Sequence, residues 1–122
     1  MRQMLIVEDE RDIYDCLQQF FSTRGFSVAS AFSGEEALDL LQEQVADVIL
    51  LDILLPGLSG IEVLRRVREL YPNARVIIVT ALDQENIREQ AHHYGAVGFV
   101  TKPFDFSENT WYQVFSTPVV PA

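Results

Sequence analysis

The run DVILLDILLPGLSG, residues 47 to 60, places one carboxylate, Asp52, directly after the apolar residues Val48 to Leu51 and follows it with a proline-glycine turn. A carboxylate in such surroundings needs a partner or a chemical purpose, because an unpaired buried charge is strongly disfavoured. Three further apolar runs end in a similar way. MLIV at 4 to 7 leads into Glu8 and Asp9, VIIV at 76 to 79 into Thr80, and VGFV at 97 to 100 into Thr101, Lys102 and Pro103. Carboxylates about 4 Å apart repel by about 4 kcal/mol at an effective dielectric of about 20, so Asp9 and Asp52 on one rim require a cation between them. Lys102 supplies one positive charge against Glu8, Asp9 and Asp52, and a divalent cation balances the remainder. Oxygen ligands from few side chains suit Mg2+, whereas zinc would want His or Cys. The set reads as a site for magnesium and a phosphoryl group.

These residues can meet only if the elements that carry them run side by side. Runs that are apolar on both faces suit strands covered by helices on both sides, and the four above qualify. FSVASA at 26 to 31 alternates as an edge strand would, giving five strands. Between the strands, Ile13, Leu17 and Phe20, then Ala37, Leu38 and Leu41, then Ile61, Leu64, Val67 and Leu70 recur at helical spacing. Ser33 with Glu36 and Ser59 with Glu62 have the spacing of capping boxes, and Gly25 and Gly95 fall where helices should stop. Alternating strands and helices predict a doubly wound parallel sheet with right-handed crossovers. Functional groups gather at the carboxyl ends of its strands.

Taken in order, Glu8 and Asp9, LLDILLPGLSG around Asp52, VTA at 79 to 81 and GAVGFVTKPF at 95 to 104 resemble the receiver domain of bacterial two-component response regulators. The resemblance covers residues 1 to about 106. It implies an α/β, flavodoxin-like (βα)5 fold with strand order 2-1-3-4-5, and transfer of a phosphoryl group from a sensor histidine kinase or phosphotransfer protein to Asp52. It implies further that Asp9 binds Mg2+ directly, that Glu8 acts through bound water, and that the carbonyl of Leu54 completes the ligands with Asp52. Lys102 would pair with the phosphoryl group, Pro103 would follow a cis peptide bond, and Thr80 would donate its hydroxyl to the phosphoryl oxygen. Phe99, three residues before the lysine, would change rotamer as that loop moves. The surface read by partners would span about residues 84 to 115, the fourth helix, fifth strand and fifth helix, where homodimers also form. Such a domain catalyses only its own phosphorylation and autodephosphorylation, and is not an enzyme acting on separate substrates. Leu54 and Leu82, two positions after Asp52 and Thr80, are both apolar, which implies slow loss of the phosphoryl group.

Composition sets limits. The chain has 122 residues, 48% hydrophobic and 22% charged, the profile of a single globular domain. Its net charge of -9 argues against nucleic acid or anionic membrane as a partner of this surface. One cysteine, Cys16, excludes an internal disulfide and reads as a small core residue. No apolar run approaches the roughly 20 residues of a membrane span, and a cytoplasmic location is expected. His92 and His93 are adjacent, about 100° apart on a helix, and are expected to be solvated.

After KPF the resemblance weakens. Asp105 with Glu108 offers a cap, and Trp111, Val114 and Phe115 are spaced for a short helix. The domain is placed at 1 to 115, and STPVVPA at 116 to 122 reads as a linker or tail, favouring a longer regulator cut short over a stand-alone receiver that relays phosphate or binds a partner directly. Two other readings compete. A degenerate receiver would be a phosphorylation-independent binding module, against which the full set of site residues argues. A haloacid-dehalogenase-type phosphatase would need an acid two residues after its nucleophile, where this chain has Leu54.

Overall fold

A computed structural model describes residues 2–115; the linker expected at 116–122 lies outside the described residues. The elements alternate without exception: β1 (Arg2–Val7), α1 (Arg11–Ser22), β2 (Phe26–Ala31), α2 (Gly34–Glu43), β3 (Val48–Leu51), α3 (Gly60–Leu70), β4 (Arg75–Thr80), α4 (Glu85–His93), β5 (Gly98–Thr101) and α5 (Glu108–Phe115). The five strands are parallel and ordered β2-β1-β3-β4-β5, the expected flavodoxin-like topology.

The period-two geometry of the strands divides the interior into two layers. Leu5, Val7, Ile49, Leu51, Val76 and Ile78 face α2, α3 and α4, where they meet Ala37, Leu41, Val63, Leu64, Val67 and Ala91. Met4, Ile6, Val48, Leu50, Ile77 and Val79 face α1 and α5, packing on Leu17, Phe21, Trp111 and Val114. The sheet is thus covered on both sides, which is why its central strands read as unbroken apolar runs.

Several local expectations hold and several shift. Ser33 and Ser59 accept hydrogen bonds from the Glu36 and Glu62 N–H groups, and Gly25 and Gly95 adopt φ of 91° and 93°. β1 and β4 start earlier than their apolar runs because Arg2 and Arg75 extend them. The Arg2 guanidinium donates to the Val114 carbonyl at 3.2 Å, and that of Arg75 to the Gln113 carbonyl at 2.8 Å, tying the sheet to the last turn of α5. On α1 the buried ring is Phe21 rather than Phe20, and Leu70, at the end of α3, is exposed. Cys16 is half-buried and donates its thiol to the Ile13 carbonyl, so it is not a full core residue. α5 is capped by Ser107, whose hydroxyl accepts from the Thr110 N–H. Asp105 instead orders the preceding turn, accepting from the Ser107 N–H and the Thr110 hydroxyl, while the Trp111 indole donates to its carbonyl.

The segment between β3 and α3 folds back on itself. The Gly60 N–H donates to the Ile53 carbonyl, and a Cβ at Gly60 would lie 2.1 Å from the Asp52 carbonyl oxygen. Only glycine permits that approach. Gly60→Ala is therefore expected to lower the unfolding free energy in urea by about 3 kcal/mol. Gly25→Ala, where no atom lies within 4 Å and the positive φ is the only penalty, should cost about 1 kcal/mol.

Candidate functional site

Three strand ends deliver the acidic groups and the lysine to one point. The ladder continues past β1 and β3, with the Glu8 N–H donating to the Ala31 carbonyl at 3.0 Å and the Asp52 N–H to the Val7 carbonyl at 3.1 Å. Both carboxylates are therefore carried on backbone still held by the sheet. After β5, the Lys102 N–H donates to the Thr80 carbonyl at 2.9 Å, and the Lys102–Pro103 peptide bond is cis.

Lys102 is the hub. Its ammonium donates to Asp52 Oδ2 at 2.8 Å, pairs with Glu8 Oε1 and reaches Glu10 Oε1 at 3.3 Å. The other Asp52 oxygen, Oδ1, accepts from the Leu54 N–H at 3.0 Å. Glu8, Asp52 and Lys102 are buried, whereas the Glu10 side chain is 62% exposed and stands at the mouth. Burial pushes the Glu8 carboxyl up to about 7, with the Asp52 charge adding to the rise and Lys102 opposing it. For Lys102 burial acts downward, but hydrogen bonding and charge from Asp52 and Glu8 outweigh it and hold the ammonium above its ordinary range.

Carboxylate oxygens of Glu8, Glu10 and Asp52 lie within 4.8 Å of one another, a hard-oxygen group suited to a divalent cation. Asp9, expected from the sequence to join Asp52, is exposed and outside this group. Glu10 is not among the residues expected from the sequence; its only signal there is its place as the third acid in the run EDE. The Leu54 side chain is exposed, and its backbone contacts Asp52 as described.

Thr80 is fully buried, and its hydroxyl accepts from the Leu82 N–H at 3.2 Å. Thr101 belongs to a different group. Its hydroxyl donates to Asp83 Oδ2 at 3.2 Å and accepts from Arg88 at 3.0 Å, and Arg88 also pairs with Asp83 Oδ1 at 2.5 Å. Arg88 holds the Asp83 carboxyl below its usual range. The same guanidinium lies 4.4 Å from the ring centre of Phe99, which is half-buried against the α3–α4 layer. His92 and His93 are both exposed. A groove of about 700 Å³ between α1 and α5 is lined by Phe20, Arg24, Phe106, Tyr112 and Phe115 and contains no residue of this site. No helix among the described residues is long and apolar enough to cross a membrane.

A lysine-bridged acidic cluster at the carboxyl ends of a doubly wound parallel sheet defines a class of α/β domain that handles charged groups at its strand ends. The chain belongs to the response regulator receiver domain family, whose model matches residues 4–110. Among solved structures it is similar to the response regulator protein TrrA of Thermotoga maritima in complex with Mg2+ and BeF, 33% identical with a TM-score of 0.79, covering 89% of this chain and 93% of that one. The receiver domain of the Francisella response regulator 1452 is 30% identical at a TM-score of 0.84, over 94% and 95% of the two chains. A Burkholderia pseudomallei response regulator with a phosphorylated aspartic acid and a calcium ion is 26% identical at a TM-score of 0.81. It is matched over 86% of this chain, which spans 62% of that protein.

The raised Glu8 carboxyl has a stability consequence of definite sign. Its folded value of about 7 exceeds the ordinary 4.5, so the folded state binds more protons between them. Stability is then fully present below about pH 4.5 and is lost as pH rises through 7. In EDTA, urea midpoints should fall from pH 5 to pH 8 by an amount equivalent to about 3 kcal/mol, and Glu8→Gln should flatten this dependence.

Proposed function

We propose that the chain is a phosphoacceptor: a sensor histidine kinase or phosphotransfer protein passes a phosphoryl group to Asp52, and the resulting acyl phosphate alters the α4-β5-α5 face. The observation that carries this is the buried Asp52 carboxylate, with one oxygen on the Leu54 N–H and the other on Lys102. Such a carboxylate is fixed in direction and paired with a cation able to follow charge to a phosphoryl group. Family membership and the phosphorylated Burkholderia relative support the same reading.

Glu8 and Asp52 supply hard oxygens for Mg2+, with Glu10 beside them; the resemblance adds Asp9 and the Leu54 carbonyl. When bound, Mg2+ polarises the phosphoryl oxygens. An Asp52 oxygen forms the new P–O bond, the bond from phosphorus to the donor breaks, and the electron pair leaves with the donor, as imidazole or acetate. Lys102 exchanges its contact with Asp52 for one with the transferred group. Thr80 gives its hydroxyl proton as a hydrogen bond to a phosphoryl oxygen, drawing Ala81 and Leu82 inward. Phe99 and the Asp83–Arg88–Thr101 group, next along the same loop and strand, change with it. The chain accepts one phosphoryl group and turns over no separate substrate. It acts in the cytoplasm, with homodimers through α4-β5-α5 and neither nucleic acid nor membrane as a partner of this domain.

Incubation with Mg2+ and acetyl phosphate should add one phosphoryl group by intact-mass spectrometry. Asp52→Asn should abolish the gain, and Lys102→Ala should slow it by about 10² to 10³. A chain that gains nothing under donor excess would leave the binding-module reading in its place.

Leu54 and Leu82, two positions after Asp52 and Thr80, carry apolar side chains that supply no group to hold an attacking water. Leu54→Asn should shorten the acyl-phosphate lifetime about tenfold, a barrier change of about 1.4 kcal/mol, measured by loss of the added mass after donor removal.

A further inference from the structure

Resting on the phosphoacceptor reading, we propose that Glu10 sets the charge preference of this site among phosphodonors. It is a specificity-determining residue that opposes doubly charged donors more than singly charged ones.

The argument begins with position. Of the three carboxylates that surround Lys102, two are buried and only Glu10 is exposed, so a donor reaching Asp52 from solvent meets Glu10 first. Its oxygen lies within 4.8 Å of oxygens on both Glu8 and Asp52, and 3.3 Å from the lysine ammonium. Glu10 therefore does two things to an incoming anion. It adds a negative charge at the entrance, and it occupies part of the cation that the phosphoryl oxygens need.

Both effects scale with donor charge. The backbone holds Glu10 in place: its N–H donates to Glu8 Oε2 at 3.3 Å, and its carbonyl accepts the Tyr14 N–H at the start of α1. The carboxylate is thus anchored at the base of a helix rather than carried on a free loop. Its exposure also means that neutralising it leaves no buried group unpaired, so the folded domain tolerates the change. Glu8 and Asp52 keep Lys102 in position without it.

Acetyl phosphate, doubly charged at neutral pH, and phosphoramidate, singly charged there, separate the effect of charge from that of access. In both cases an Asp52 oxygen bonds to phosphorus. With acetyl phosphate the P–O bond breaks and acetate leaves with the electron pair; with phosphoramidate the P–N bond breaks and ammonia leaves from the already protonated nitrogen. Removing one negative charge about 5 Å from the approaching group should accelerate the dianion about tenfold and the monoanion about threefold. The difference between donors should shrink at high salt.

The experiment compares initial phosphorylation rates of the native chain and Glu10→Gln with the two donors at saturating Mg2+, with Mg2+ affinity measured separately by calorimetry. A larger gain for acetyl phosphate than for phosphoramidate, with Mg2+ affinity falling by no more than the roughly tenfold that the same charge removal costs a dication, supports the proposal. Equal changes for both donors overturn it, as does a slower reaction accompanied by a large loss of Mg2+ affinity, which would make Glu10 a metal ligand instead. If the native chain accepts no phosphoryl group from either donor, the phosphoacceptor reading fails on its own. The charge effect is then decided by the affinity for inorganic phosphate in Mg2+, which Glu10→Gln should raise about tenfold and which, if unchanged, overturns the proposal.

Discussion

The shared ammonium of Lys102 is the contact on which the site depends. Two buried carboxylates, Glu8 and Asp52, stand against it, and their mutual repulsion in a poorly solvated pocket would otherwise work against the fold. Removing one partner of such a buried pair leaves uncompensated charge, a cost of about 3 to 5 kcal/mol. The cluster also resolves its excess negative charge in part by protonation. One cation cannot neutralise two buried carboxylates, and burial drives Glu8 toward its neutral form, its carboxyl pushed up to about 7. The same imbalance makes the pocket a place for a second cation, which competes with the proton on Glu8.

The fold holds Glu8 and Asp52 almost entirely out of solvent. β1 and β3 are adjacent at the centre of the sheet, so Glu8 and Asp52 emerge side by side from the best-covered strands. Their backbones remain hydrogen-bonded one residue past each strand, to Ala31 and Val7. Gly60 then seats the first turn of α3 directly against the Asp52 backbone, and Glu35, reaching from α2 to the Leu58 N–H at 2.6 Å, secures the intervening segment. Position is achieved by main chain; charge is left to the side chains.

The sheet and most of its helices were legible because burial on both faces demands continuous apolar runs, and because Ser33, Ser59, Gly25 and Gly95 mark helix ends by local chemistry. Asp52 and Lys102 were legible for a related reason: each directly ends or follows such a run. What escaped was everything decided by side-chain direction. Asp9 and Glu10 are neighbours of identical charge, and only the turn into α1 decides that Glu10 faces Lys102. Phe20 and Phe21 differ in the same way, the helix phase choosing the second for the core. At α5, Ser107 replaces Asp105 as the cap because Asp105 is already engaged with Thr110 and its carbonyl with Trp111.

Thr101 and Lys102 show how one strand end can serve two faces. In an extended chain consecutive side chains point to opposite sides, so the lysine enters the acidic cluster while the threonine joins Asp83 and Arg88. Thr80 is bonded through its own backbone carbonyl to Lys102 and through its hydroxyl to Leu82, one residue before Asp83. Thr80 and Lys102 therefore adjoin both ends of the Asp83–Arg88–Thr101 group. Arg88 is stacked on Phe99, so the aromatic ring cannot change place without the guanidinium releasing it or moving with it. The ring is thus held by Arg88, which Asp83 and Thr101 fix in turn. This gives Phe99, which lacks the hydroxyl of a tyrosine, a substitute anchor for its resting position.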